Sequence, residues 1–167
     1  MHTLNTLANM YIEQIRTIIN RLQNQIVVLD FDGTMTQFRY ASDRLLPCRD
    51  DEIYEYSKSH NIYENARMLA TMQYVVSQLN PENVYVLTRT EKTLIEKKNV
   101  SILKNFNILP EHIFHVQQAH LKLEVLDMLH KKHNSDIIFI EDTFKTILEA
   151  EEAMDFVHGI HISEFIA

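Results

Sequence analysis

Three short apolar runs, each ending in oxygen-bearing side chains, constrain the fold of this chain more than any other feature. Ile26-Val27-Val28-Leu29 leads into Asp30-Phe31-Asp32, Val84-Tyr85-Val86-Leu87 into Thr88, and Ile137-Ile138-Phe139-Ile140 into Glu141-Asp142. A strand with one wet face alternates apolar and polar residues. A run that is apolar at every position is buried on both faces, as in a parallel sheet covered by helices. The stretches between the runs carry helical periodicity. A helix beginning near Tyr63 places Ala66, Leu69, Ala70, Gln73, Val76 and Leu79 at helical spacing and stops at Asn80-Pro81. Further helices follow over 91–106, over 120–133 and through Ile147, Leu148 and Met154, with shorter strands at 113–116 and 157–162. Strands alternating with helices of about a dozen residues need right-handed crossovers. The pattern predicts an α/β fold: one domain over residues 1–167, with a mostly parallel sheet and helices on both faces.

Two segments stand outside that alternation. Within residues 1–24, Leu4, Leu7, Tyr11, Ile15, Ile18, Ile19 and Leu22 share one side of a helix, which packs on its own domain or serves a partner. Residues 35–62 are irregular, with Pro47, the charged stretch Arg49-Asp50-Asp51-Glu52 and several tyrosines, and read as a loop or small lid insert. Glycine then excludes whole classes. Only Gly33 and Gly159 occur, so neither GxxxxGK nor GxGxxG can be written, and a protein that handles phosphate must do so with side chains and a metal. Cys48 is the lone cysteine, which rules out an internal disulfide and favours a reducing compartment. A net charge of -7 is the wrong sign for a default nucleic-acid binder. No signal peptide and no membrane span are expected, and the reading is of a soluble, cytoplasmic protein.

In open parallel sheets, ligands sit outside the carboxyl ends of the strands, near the point where strand order reverses. The residues there are Asp30, Asp32, Thr88, Glu141 and Asp142. Any one of these acids could simply cap a turn or a helix. Placing acids after two all-apolar strands, however, concentrates negative charge with no structural return. Magnesium (Mg2+) removes that conflict, because it prefers oxygen ligands and bridges carboxylates to phosphoryl oxygens.

VVLDFDGTMT, VYVLT, a lysine opening a helix and IIFIEDT, in that order, resemble the four motifs of the haloacid dehalogenase (HAD) superfamily of phosphohydrolases. The resemblance covers residues from about 26 to 162 and implies a three-layer, Rossmann-like fold. It implies that Asp30 is a nucleophile forming an aspartyl-phosphate, that Asp32 is the acid/base, and that Thr88 bonds a phosphoryl oxygen. Asp30, the backbone carbonyl of Asp32, and Asp142 would hold magnesium. The stabilising lysine is assigned to Lys122; Lys97, Lys98 and Lys104 lie too early, and Lys131 and Lys132 sit at the far end of their helix. Glu141, beside Asp142, would bind the metal through a water or orient Lys122. Gly33, Arg89, Arg39 and Arg44 are candidates for substrate contact, although a solvated strand end explains Arg89 equally well.

The short intervals between motifs leave no room for a large cap, and capless members of the superfamily often act on large substrates. The expectation is therefore a magnesium-dependent phosphomonoesterase acting on phosphoprotein, with phosphotyrosine the favoured ester. The alternatives are a phosphatase of small phosphorylated metabolites and a catalytically inactive binding module. A receiver domain would place its lysine after the final acids, and a true dehalogenase has no use for Asp32. Oligomeric state is left open.

Overall fold

A computed structural model of the chain describes residues 2–37, 39–40, 44–45, 55–64 and 66–165. Helix α1 (His2–Leu22) precedes strand β1 (Ile26–Leu29). Four two-residue strands follow: β2 (Thr36–Gln37), β3 (Arg39–Tyr40), β4 (Arg44–Leu45) and β5 (Arg67–Met68). Then come α2 (Ala70–Ser77), β6 (Val84–Arg89), α3 (Ile95–Asn105), β7 (Ile113–Val116) and α4 (Lys122–His133). The last elements are β8 (Ile137–Glu141), α5 (Phe144–Ala153) and β9 (Val157–His161).

Five strands form one sheet in the order β7-β6-β1-β8-β9, and every neighbouring pair is parallel. The period of two along each strand divides the apolar residues between the two faces. Val27, Leu29, Val84, Val86, Ile138 and Ile140 join a core cluster with residues of α1, α2 and α3. Ile26, Val28, Tyr85, Leu87, Ile137 and Phe139 join a second cluster with Leu126 and Leu129 of α4 and Ala150 of α5. This is why the runs are apolar at every position. Truncating a fully buried side chain such as Leu29 to alanine removes about 2–5 kcal/mol.

The amphipathic face of α1 is used within the domain. Ile15, Ile19 and Leu22 are buried, the Tyr11 hydroxyl donates to the Phe165 carbonyl at 2.8 Å, and Gln14 donates to the Glu164 carbonyl at 2.9 Å. One element differs from its sequence reading. The helix expected near Tyr63 starts at Ala70, because residues 67–68 pair antiparallel with residues 36–37 and extend the chain there. The Leu69 amide donates to the Met35 carbonyl at 3.0 Å, and the Thr36 hydroxyl donates to the Arg67 carbonyl at 3.2 Å. Helical spacing of Ala66 and Leu69 could not reveal that pairing, since its partner lies some thirty residues away along the chain.

Residues 38, 41–43 and 46–54 of the 35–62 insert lie outside the described residues, so its reading as a lid does too. The sheet reverses its order between β1 and β8, the two neighbours whose carboxyl ends carry Asp30 and Glu141-Asp142. No helix among the described residues is long and apolar enough to cross a membrane.

Candidate active site

The site starts with the tight loop that follows β1. The Asp30 amide donates to the Ile140 carbonyl at 2.9 Å, which extends the pairing with β8 by one residue. Phe31 is fully buried, with its ring 6.0 Å from that of Tyr63 and 6.4 Å from that of Phe106. The loop is closed by amides of Gly33, Met35 and Thr36, which donate to the carbonyls of Thr36, Phe31 and Phe31. Gly33 turns the chain with φ 82°, a left-handed conformation that side chains other than glycine's resist. A buried phenylalanine thus anchors a short loop with an aspartate on each side of it.

The first aspartate belongs to a buried ion cluster. Lys122, the first residue of α4, donates to Asp30 Oδ1 at 2.7 Å and to Glu141 Oε2 at 2.6 Å, and all three residues are buried. Burial raises the pKa of Asp30; Lys122 opposes that shift, and Glu141 adds to it. Glu141 is likewise raised by burial against the pull of Lys122. For Lys122, burial favours the neutral amine, but the carboxylates of Asp30 and Glu141 outweigh it and hold the pKa above its ordinary value. The ammonium is therefore a fixed charge, shared by two carboxylates that resist ionising together.

The second aspartate has a lysine of its own. Lys98 of α3 is fully buried and donates to Asp32 Oδ2 at 2.6 Å, to Thr88 Oγ1 at 3.0 Å and to the Arg89 carbonyl at 3.0 Å. The pKa of Asp32 is raised to about 6 by burial, with Lys98 opposing and Asp30 adding to the shift. The Tyr63 hydroxyl bonds the same carboxylate, and burial together with Asp32 and Asp30 raises its pKa. Asp32 Oδ1 and, in the same loop, Thr34 Oγ1 are buried without a hydrogen-bond partner. Such atoms cost about 1–3 kcal/mol each unless something, a water included, bonds them.

The donor set fits a hard cation. Asp30, Glu141 and Asp142 each present a carboxylate oxygen within 4.8 Å of the others. Four carboxylates face two buried ammonium groups here. The Asp142 carboxylate lies against the backbone of Gly33, where a β-carbon would meet its Oδ2 at 2.0 Å. Glycine at that position lets a β8 carboxylate close on the β1 loop.

Asp30, Asp32, Thr88, Lys122, Glu141, Asp142 and Gly33 are thus brought together. Arg89 is exposed, and its carbonyl accepts a bond from Lys98. Arg39 and Arg44 have their backbones on the β3–β4 ribbon, and their side chains lie outside the described residues. Sequence reasoning set Lys98 aside as too early for the family lysine, and Tyr63 went unnoticed. Lys98 carried one signal, as a lysine on the same side of its helix as Ile102. Tyr63 carried none, because it was read as the start of a helix, whereas it lies in a turn before that helix begins at Ala70. Beside Asp142, Phe144 is 61% exposed with its ring 5.3 Å from that of His161, and His161 Nε2 bonds the Asp142 carbonyl at 2.8 Å. Compared with models of protein families, with curated proteins and with solved structures, the chain matches none.

Proposed function

We propose that this chain is a three-layer, HAD-like phosphomonoesterase that works through an aspartyl-phosphate on Asp30 and requires magnesium. The observation that carries the reading is the asymmetry of its two aspartates at the switch point of the sheet. Asp30 is held by Lys122, whereas Asp32, two residues on, keeps a buried oxygen, Oδ1, without a partner. One is placed as a nucleophile beside a fixed positive charge, and the other keeps an oxygen for proton transfer.

Asp30, Asp142 and the Asp32 carbonyl would hold the cation, with Glu141 within reach of it. Magnesium would supply charge neutralisation and a template for phosphoryl oxygens. In the first step a carboxylate oxygen of Asp30 bonds to phosphorus as the ester P–O bond breaks, and Asp32 gives its proton to the leaving oxygen. In the second, water attacks phosphorus and gives a proton back to Asp32, releasing phosphate and restoring the Asp30 carboxylate. Lys122 stabilises the charge on the transferring group, and the Thr88 hydroxyl binds one of its oxygens.

For the substrate we favour a phosphorylated protein side chain, phosphotyrosine first. The exposed Phe144 beside Asp142 supports an aryl ester, since an aromatic ring at the rim of the site offers a stacking surface. Assay of phosphopeptides, sugar phosphates and nucleotides with and without magnesium tests the proposal. Turnover of phosphotyrosine peptide above the others is the expected result. Fastest turnover of sugar phosphates or nucleotides would assign a metabolite phosphatase, and no turnover of any ester would leave a binding module.

A further inference from the structure

The buried lysine of α3 has no place in the four-motif reading, yet every donor it owns is spent inside the site. An ammonium group has three N–H donors, and Lys98 directs them to Asp32 Oδ2, Thr88 Oγ1 and the Arg89 carbonyl. Its side chain is wholly buried, with the ammonium 5.9 Å from the centroid of the Phe31 ring and 5.5 Å from that of Tyr63. A buried lysine costs several kcal/mol unless it is fully paired, so a lysine held this way for fold alone would be an expensive filler where an apolar side chain would serve.

The direction of each bond matters. A hydroxyl has one proton to donate and two lone pairs. Lys98 fills a lone pair of Thr88 Oγ1, and no other bond of that hydroxyl is found among the described residues. Its proton therefore remains available to an acceptor that enters the site. On the Asp32 carboxylate Lys98 takes Oδ2, and the oxygen left unpartnered is Oδ1. One cation thus orients both neighbours, making the threonine a donor and fixing Oδ2 of a carboxylate that the Tyr63 hydroxyl also bonds.

We propose that Lys98 is a positioning residue that orients Asp32 and Thr88 together for phosphoryl transfer. The inference rests on the phosphatase reading, and its test separates the two. Lys98→Met keeps the unbranched shape and removes the three donors; Lys97→Met, on the exposed face of the same helix, is the control and leaves turnover unchanged. The substrates are phenyl phosphate and 4-nitrophenyl phosphate, which share a ring but differ in how much the leaving oxygen needs a proton. Lys98→Met should lower turnover of phenyl phosphate on the order of a hundredfold and of 4-nitrophenyl phosphate about tenfold or less, because misplacing Asp32 harms the poorer leaving group more.

In an Asp32→Asn background the same change should cost phenyl phosphate turnover less than about threefold, since the residue it acts through is already disabled. If Lys98→Met does not fold, judged by loss of a cooperative melt, Lys98→Arg replaces it. Arginine keeps the charge but cannot point three donors from one nitrogen, and the same split between substrates is expected. Equal losses on the two esters, or an undiminished loss in the Asp32→Asn background, would overturn the role of Lys98 and leave the phosphatase standing. A wild-type protein that turns over neither ester would remove both.

Discussion

Replacing Gly33 by alanine tests how the β1 loop and β8 share a carboxylate. The new β-carbon would lie 2.0 Å from Asp142 Oδ2 and 2.7 Å from its Cγ. An ordinary contact begins near 3.4 Å, so the carboxylate must retreat by about 1.4 Å. Asp142 is exposed and can turn away, at about 0.5–1.5 kcal/mol for a displaced rotamer. The backbone contributes separately, because φ 82° costs a non-glycine residue about 1–2 kcal/mol. Together the change should destabilise the fold by about 1.5–3.5 kcal/mol, read from urea denaturation. In an Asp142→Ala background the carboxylate is gone, and only the backbone part of about 1–2 kcal/mol should remain. Magnesium supplies the second readout. Moving the Asp142 carboxylate away from Asp30 and Glu141 should raise the magnesium concentration for half-maximal turnover on the order of tenfold or more, and Gly33→Ala should add nothing further once Asp142 is alanine. A magnesium requirement unchanged by Gly33→Ala, or a stability loss of the same size in both backgrounds, would refute the reasoning.

Asp30→Asn should abolish turnover while leaving the thermal melt cooperative, and beryllium fluoride should form an adduct on the wild-type Asp30 only; wild-type turnover in the variant would exclude Asp30 as nucleophile. Lys122→Met should lower turnover on the order of a hundredfold by removing the fixed charge beside the transferring group, whereas Lys131→Met, exposed on the same helix, should be silent in the same assay. Phe144→Ala should lower kcat/KM for a phosphotyrosine peptide several-fold and for an alkyl phosphate hardly at all, on the order of the 0.5–1.5 kcal/mol that an aromatic pair contributes; equal losses would place Phe144 outside the substrate's path. His115 tests pH dependence through stability: burial, aided by Lys98, lowers its pKa from 6.5 to about 4. The unfolded chain therefore takes up the proton first, and the contribution of neutral His115 is present above pH 6.5 and lost as pH falls toward 4. Urea midpoints should drop over that window in the wild type and drop less in His115→Asn.

The parallel sheet was legible because its strands are buried on both faces, and a run such as Ile137 to Ile140 suits little besides a covered strand. The meeting of Asp30 with Glu141 was expected from where acids interrupt apolar runs, whereas the order of the five strands is known only from the structure. What stayed hidden depends on distance along the chain. Residues 67–68 are extended because they pair with residues 36–37, and their local spacing suits a helix just as well. Lys98 was set aside on position in the chain, but position does not say which way a helical side chain points. A single step along α3 changes the outcome, since Lys97 faces solvent. Tyr63 joins Asp32 from the turn ahead of the helix it was expected to open, and only the folded chain brings it there.

Charge ties these pieces together. The fold gathers Asp30, Asp32, Glu141 and Asp142 at the carboxyl ends of β1 and β8 and answers them with two lysines from different helices. The pairing is divided: Lys122 serves the Asp30–Glu141 side and Lys98 serves the Asp32–Thr88 side, and the two lysines share no acceptor. That division suits chemistry in which one carboxylate must stay charged to attack while its neighbour must alternate between acid and base. A single lysine shared by both aspartates would bias them in the same direction. Two lysines give each aspartate its own partner: burial raises the pKa of both, Asp30 against the pull of Lys122 and Asp32, to about 6, against that of Lys98.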